Sequence, residues 1–187
     1  MLLNLVTPSA GTSTIGGSRY ADLPDPLRTV GAVLEVQRPQ GPHRHQPPAG
    51  DLCRGGPAEE RADEALALVG LSPAAKRKFK GYSLGMKQRL GIAAAMLGNP
   101  QVLILDEPAN GLDPEGIRWM RGFLKGLAAE GRTVLVSSHL LSEMQLLADD
   151  VVIIAAGKLV RQGPVDQVMA SMTHDVRVRV RTRRPTN

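Results

Sequence analysis

The sequence predicts an α/β fold, with a mostly parallel core sheet, flanking helices, short N-terminal strands and a C-terminal hairpin. Three observations predict it. "QVLILD" (101–106) and "TVLVSSH" (133–139) are short apolar runs, as expected of strands covered on both faces. Between and around them, apolar residues recur at helical spacing. Strand therefore alternates with helix, the order a parallel sheet with crossover helices requires. A length of 187 residues is enough to bury a core.

Taken in order, "MLLNLV" reads as the end of a helix and "TPSAG" as a turn. "TSTIGG" reads as a short strand with its turn, and "RTVGAVLEV" as another strand. Residues 38–58 are rich in Pro, Gly, His and Arg and offer almost nothing apolar to bury, so they read as an irregular segment. Regular structure resumes at Glu59. Ala62, Ala65, Leu66 and Val69 share one helical face, and Gly70 stops the helix. Ser83 caps a helix running to about Leu97, with Leu90, Ala94 and Leu97 inward and Gly98, Asn99 and Pro100 ending it. Asp113 and Pro114 read as cap and first helical position. Ile117, Met120, Leu124 and Leu127 follow at helical spacing to about Glu130, and Gly131 closes that helix. "LLSEMQLLA" is helical, and "DVVIIAAGKLVRQG" reads as a hairpin turning at Ala156, Gly157 and Lys158. "DVRVRVRT" alternates Val with Arg, a strand pattern with one wet face. The expected segments are 1–37, 38–58, 59–98, 99–167 and a basic C-terminal segment, 168–187.

Composition narrows the function classes. No apolar run reaches the ~18–20 residues that span a bilayer, and "MLLNLV" lacks the basic leader of a signal peptide. A lone cysteine, Cys53, cannot form an intrachain disulfide. The net charge is +5, but aromatics are only 3%, so the stacking groups of a nucleic-acid reader are missing and no nucleic-acid partner is expected.

In open parallel sheets, ligands bind beyond the carboxyl ends of the strands. Asp106 and Glu107 lie at one such end and His139 at another. A carboxylate there can hold Mg²⁺, which prefers hard oxygen ligands and phosphate partners. Its neighbour can orient or deprotonate a water, an effect worth roughly 10²–10⁴ in rate. A histidine beside them can hydrogen-bond a terminal phosphate. Taken singly, the acids also fit a solvated strand end and the histidine a surface cap. The fixed order of the Ser83 turn, the acid pair, "GLDP" and the histidine favours the functional reading.

The stretch from Tyr82 to Gly163 resembles the ATP-binding subunit of an ABC transporter. "YSLGMKQRL" resembles the family's signature motif, "VLILDEP" its Walker B strand, "NGLD" its D-loop and "SSH" its switch histidine. The likeness extends over Met1–Val36 and Glu59–Arg184. It implies a partial P-loop NTPase fold with ATP and Mg²⁺ as cofactors. Asp106 would hold Mg²⁺ through water, Glu107 would be the general base, and His139 would contact the γ-phosphate. Ser83 and Gly85 would meet the ATP of the opposite subunit at a helix start, where the dipole favours anions. Asp113 would act across the dimer interface. The family's Q-loop falls at "LEVQ", with Glu35 at its position by register and Gln37 as the literal glutamine. Departures are Leu84 for the first signature Gly, Met86 for the usual Gln, and Ala109 for the common Thr or Ser. The resemblance is to the subfamily that exports drugs or antibiotics.

The same family needs a phosphate loop, G-x-x-x-x-G-K-(S/T), whose backbone N–H groups and lysine cradle the phosphates. The sequence contains none. In "GTSTIGGS", Gly11 and Gly16 have the right separation, but Gly17 stands where the lysine must be. "MLLNLVTPSAGTSTIGG" instead resembles the stretch downstream of that loop, so the loop is expected upstream of Met1, with the N-terminus as written truncated. Residues 38–58 invite a second expectation. If the gene is GC-rich and is read one base over, from the second base of the Gln37 codon, a permitted choice of codons gives a helix-compatible peptide running into "EERADEALALVGL". Two compensating shifts, near Gln37 and near Pro57, would explain the segment; a true Pro-rich insertion is the alternative.

The resemblance implies a head-to-tail homodimer, joined through signature motif and D-loop, working with a separate membrane-spanning permease at the cytoplasmic face of the membrane. The competing readings are a catalytically dead remnant of a disrupted gene and a soluble ABC-type ATPase outside transport.

Overall fold

The computed structural model describes residues 2–34 and 57–173. Glu35, Gln37, most of the 38–58 segment and the Val-Arg alternation after His174 lie outside the described residues. The chain forms two compact units, Met1–Ser138 and His139–Asn187.

The first unit is built on a three-stranded parallel sheet. A helical turn, α1 (Pro26–Thr29), leads into β1 (Val30–Val33). Helix α2 (Pro57–Leu68) and helix α3 (Leu84–Met96) come next, with short 3-10 turns at Ser72–Ala74 and Phe79–Gly81 between them. Then come β2 (Val102–Asp106), α4 (Pro114–Ala129) and β3 (Thr133–Ser137). Strand β2 lies in the middle, with Ala32 opposite Ile104 on one side and Asp106 opposite Ser137 on the other. Its central place explains its composition. Leu103 and Leu105 are each 1% exposed, which stabilises the sheet by roughly 1.5–3 kcal/mol per side chain. Gly31 of β1 lets helix α3 approach: a Cβ there would collide with the carbonyl oxygen of Ala95.

The helix caps behave as the sequence predicts. Ser83 Oγ accepts from the Met86 amide at 3.2 Å, and Asp113 Oδ1 from the Gly116 amide at 2.8 Å. Pro114 occupies the first turn of α4, which buries Met120, Leu124 and Leu127. Gly70 and Gly131 take left-handed φ values of 70° and 88° where α2 and α4 stop.

Several expectations are corrected. Leu2–Val6 form a turn and bend, not the end of a helix. Asn4 sits at φ 57°, which a right-handed helix excludes. "TSTIGG" contributes only a bridge between Ile15 and Ser18, closed by Gly16 and Gly17 at positive φ, so this glycine pair makes a tight turn and no phosphate loop. Arg28 and Thr29 end a helical turn, because Asp25 caps it and Pro26 starts it; β1 begins only at Val30. Helix α2 begins at Pro57. The inward face of α3 is Leu90, Ile92, Ala93 and Met96, while Ala94 and Leu97 are half-buried. The helix packs on both α2 and β1, so its contacts are wider than one stripe. The apolar run of β3 predicts a buried strand, yet Leu135 is 47% exposed. Among the described residues β3 pairs only with β2.

The second unit holds α5 (Leu141–Leu147), the antiparallel pair β4 (Asp150–Ala155) and β5 (Lys158–Pro164), and α6 (Val165–Thr173). Ala156 and Gly157, at φ 50° and 72°, make the predicted hairpin turn. Val151, Val165 and Val168 are its core, with Met144, Ala148, Ile153 and Met169 packed against them.

Candidate functional site

Asp106 is the last residue of β2, and the parallel register sets Ser137, the last residue of β3, directly beside it. The two are joined: Ser137 Oγ donates to Asp106 Oδ1 at 2.5 Å. The same hydroxyl accepts from the backbone amide of Glu107 at 2.9 Å. One serine thus fixes the carboxylate of one acid and the backbone of the next. Glu107 needs that support because it stands at φ 47°, a left-handed conformation unusual for a residue with a side chain. Its carbonyl accepts from the Asn110 amide at 3.1 Å, which turns the chain sharply out of the strand. Both acids are half-buried.

A second group of predicted residues gathers where α3 and α4 begin. Ser83, Gly85 and Asp113 line one cleft of about 420 Å³, together with Gly111, Arg89 and Trp119. Helix α3 opens with Leu84 and Gly85, positions whose N–H groups have no acceptor within a helix. Exposed N–H groups at a helix start favour anions in general, and the starts of α3 and α4 both line this cleft. His139 is exposed and begins the second unit. The structure therefore brings together Asp106 with Glu107, and Ser83 with Gly85 and Asp113.

The residues fit a magnesium–phosphate group in one respect that the structure itself shows. Asp106 is a single hard carboxylate held in place by a hydroxyl at a strand end, and Mg²⁺ is commonly bound by one or two carboxylates plus substrate phosphates. Among the described residues, no group of three or more His, Cys, Asp or Glu forms an all-protein metal cage.

Sequence reasoning missed Ser137 as a partner of both acids. It was visible in "VSSH", but only the register between β2 and β3 shows which serine faces Asp106. Arg89 and Trp119 were also missed. Their side chains meet across two helices, the guanidinium carbon lying 4.0 Å from the ring centroid.

Comparison with known proteins now adds to this geometry. A family model described as ABC transporter matches residues 1–110. The lantibiotic transport ATP-binding protein SrtF of Streptococcus pyogenes is 37% identical over 171 residues, covering 89% of this chain and 72% of that protein. The bacitracin transport ATP-binding protein BcrA of Enterococcus faecalis is 40% identical over 175 residues, covering 90% of this chain and 56% of that protein. An uncharacterized ABC transporter ATP-binding protein of Bacillus subtilis, YhcH, is 56% identical over 106 residues, covering 56% of this chain and 35% of that protein. The chain thus spans 35% and 56% of the lengths of YhcH and BcrA. Among solved structures, cbiO1 from Clostridium perfringens, part of the ABC transporter complex cbiONQ, matches with a TM-score of 0.71 at 25% identity, over 91% of this chain and 72% of that one. The ADP conformation of an ATP-binding cassette of an ABC transporter matches with a TM-score of 0.59 at 23% identity, over 65% of this chain and 49% of that one, a likeness of fold alone. This chain belongs to the ABC transporter family, and its fold is that of the family's ATPase cassettes.

Proposed function

We propose that the chain is the ATP-binding part of an exporter, coupling ATP binding and hydrolysis to movement of a substrate through a separate membrane subunit. The observation that carries this is the acid pair at the carboxyl end of the central parallel strand, with Ser137 bound to both residues. Asp106 would hold Mg²⁺, and bound Mg²⁺ would neutralise charge developing on the phosphates. Glu107 would take the proton of the attacking water, and its backbone is held for that purpose by Ser137 and by the turn to Asn110. The backbone turns out of the strand at Glu107, and the two adjacent acids would serve different positions. His139 would donate to a terminal phosphate oxygen. Ser83 and Gly85 would present N–H groups and a hydroxyl to the nucleotide of a second copy, with Asp113 working across the same interface. The partners are then a second copy, head to tail, and a permease.

Two relatives are by name bacitracin and lantibiotic transport proteins, which supports an antibiotic or peptide antibiotic as cargo. No helix among the described residues is long and apolar enough to cross a membrane. In this reading the permease carries the membrane step, and the chain would sit beside it at the cytoplasmic face. Glu35 or Gln37 would complete the site as the γ-phosphate sensor.

The test is ATP hydrolysis by the 187-residue chain and by an extended chain to whose N-terminus a phosphate loop and its helix are added. Slow or absent turnover in the first and clear turnover in the second is expected, because each charge-assisted phosphate contact is worth about 1.5–3 kcal/mol. Glu107→Gln in the extended chain should lower the rate by roughly 10²–10⁴ while ATP binding persists. An extended chain that neither binds nor hydrolyses ATP supports the dead-remnant reading instead.

A further inference from the structure

Helices α3 and α4 begin beside one another, and the contacts between them form a reciprocal pattern that the motif letters do not show. Gly111 takes φ 71°, and a Cβ built on it would lie 2.5 Å from Leu84 Cδ2. Real Cβ atoms essentially never come so close, so the Leu84 side chain rests on bare backbone. The partner contact runs the other way. A Cβ built on Gly85 would lie 3.6 Å from Leu112 Cδ2, an ordinary van der Waals distance, so Leu112 comes near the glycine just after Leu84 without requiring a glycine there. Each segment sets a leucine near the other's glycine. Leu84 is still 51% exposed, so burial of apolar surface alone does not account for its place.

A second tie lies further along α3. The Arg89 guanidinium carbon is 4.0 Å from the Trp119 centroid, within cation–π range. Trp119 stacks on Phe123 of the same helix at 5.2 Å and 14°. Planar guanidinium over a stacked ring is a geometry that lysine cannot copy.

We propose that the Leu84–Gly111 and Leu112–Gly85 contacts, with the Arg89–Trp119 stack, latch the start of α3 to the segment Gly111–Trp119, so that the Ser83 turn and the loop after the acid pair move as one body. Leu84 and Arg89 are then positioning residues. Leu84 is also a residue that departs from the signature pattern of the family, and the latch gives that departure a purpose: a glycine there would leave Gly111 uncovered. The functional consequence rests on the proposed reading of Ser83 and Gly85 as nucleotide contacts. A shift of the loop beyond Glu107 would then reach those contacts within the same protomer.

The experiment uses the 187-residue chain without nucleotide. Urea unfolding is measured for Leu84→Ala, Gly111→Ala and the double variant. Alanine at φ 71° is strained in both backgrounds, so the cycle isolates the contact. The latch predicts that Gly111→Ala shifts the unfolding constant about fivefold or more further with Leu84 present than with alanine there. Simple multiplication of the two effects, to within about twofold, overturns the latch. If Gly111→Ala does not fold, a cycle of Arg89→Ala with Trp119→Ala replaces it through the stacked pair: coupling beyond about twofold is expected, and simple multiplication of the two effects overturns the latch.

Amide hydrogen exchange then separates positioning from bulk stability. Trp119→Ala should speed exchange at Met86 and Leu112 about tenfold relative to Leu103 in β2, and Trp119→Phe should restore most of it. Acceleration of all three amides together overturns the positioning role. ATP hydrolysis by the extended chain is scored separately, so failure of the latch and failure of the transporter reading are distinct results.

Discussion

Ser137 is the residue on which the acid pair depends. Its hydroxyl donates to Asp106 and accepts from the Glu107 amide, so both of its roles are filled by one neighbouring strand end. Replacing it with alanine leaves the Glu107 amide and one Asp106 oxygen without that partner. Ser137→Ala should therefore lower unfolding free energy by about 0.5–1.5 kcal/mol, read from the urea midpoint. In the extended chain it should also reduce ATP turnover, because Glu107 at φ 47° loses the bond that holds its backbone. Unchanged stability together with unchanged turnover would show that Ser137 does not organise the site. The two acids stood out in the sequence through the fixed order of the Ser83 turn, the acid pair, "GLDP" and the histidine, since the pair by itself also fits a solvated strand end. Ser137 was not legible, since a serine thirty-one positions away becomes a neighbour only through strand register.

At the scale of elements, α3 and α4 start where the sequence said they would. A cap is a local device: Ser83 and Asp113 bond amides three positions on, and no distant residue is needed. Ser83→Ala and Asp113→Ala should each cost about 1 kcal/mol in urea unfolding. Asp113→Asn should recover most of its loss, since Asn caps nearly as well. Losses far below this for both alanine variants would mean the caps are not formed in solution. The central strand gives a stronger expectation. Leu105 is 1% exposed, so Leu105→Ala should destabilise by about 2–5 kcal/mol. Leu135→Ala in β3 should cost much less, because Leu135 is 47% exposed. The apolar run in "TVLVS" did not reveal this difference. Periodicity reports what a strand is able to bury, whereas its neighbours decide what is buried.

At the scale of the whole molecule, the two units carry different parts of the sequence pattern. The first holds the signature turn, the acid pair and the loop after it, while His139 opens the second. ATP turnover is a property of this scale, because it requires the described elements to work together with a phosphate loop. What the sequence by itself determined was the order of strands and helices from α2 to β5, the caps of α3 and α4, the hairpin turn at Ala156 and Gly157, and the family. These arise from interactions a few residues apart, or from motifs whose letters state their chemistry. The tertiary structure alone decided that Ser137 faces Asp106, that Leu84 rests on Gly111, and that Arg89 lies over Trp119. It alone decided that β3, with the same kind of apolar run as β2, is half-exposed. The physical reason is common to all of them. Each depends on groups far apart along the chain meeting at a few ångströms, and that distance is set by sheet register and helix packing, which no local pattern encodes.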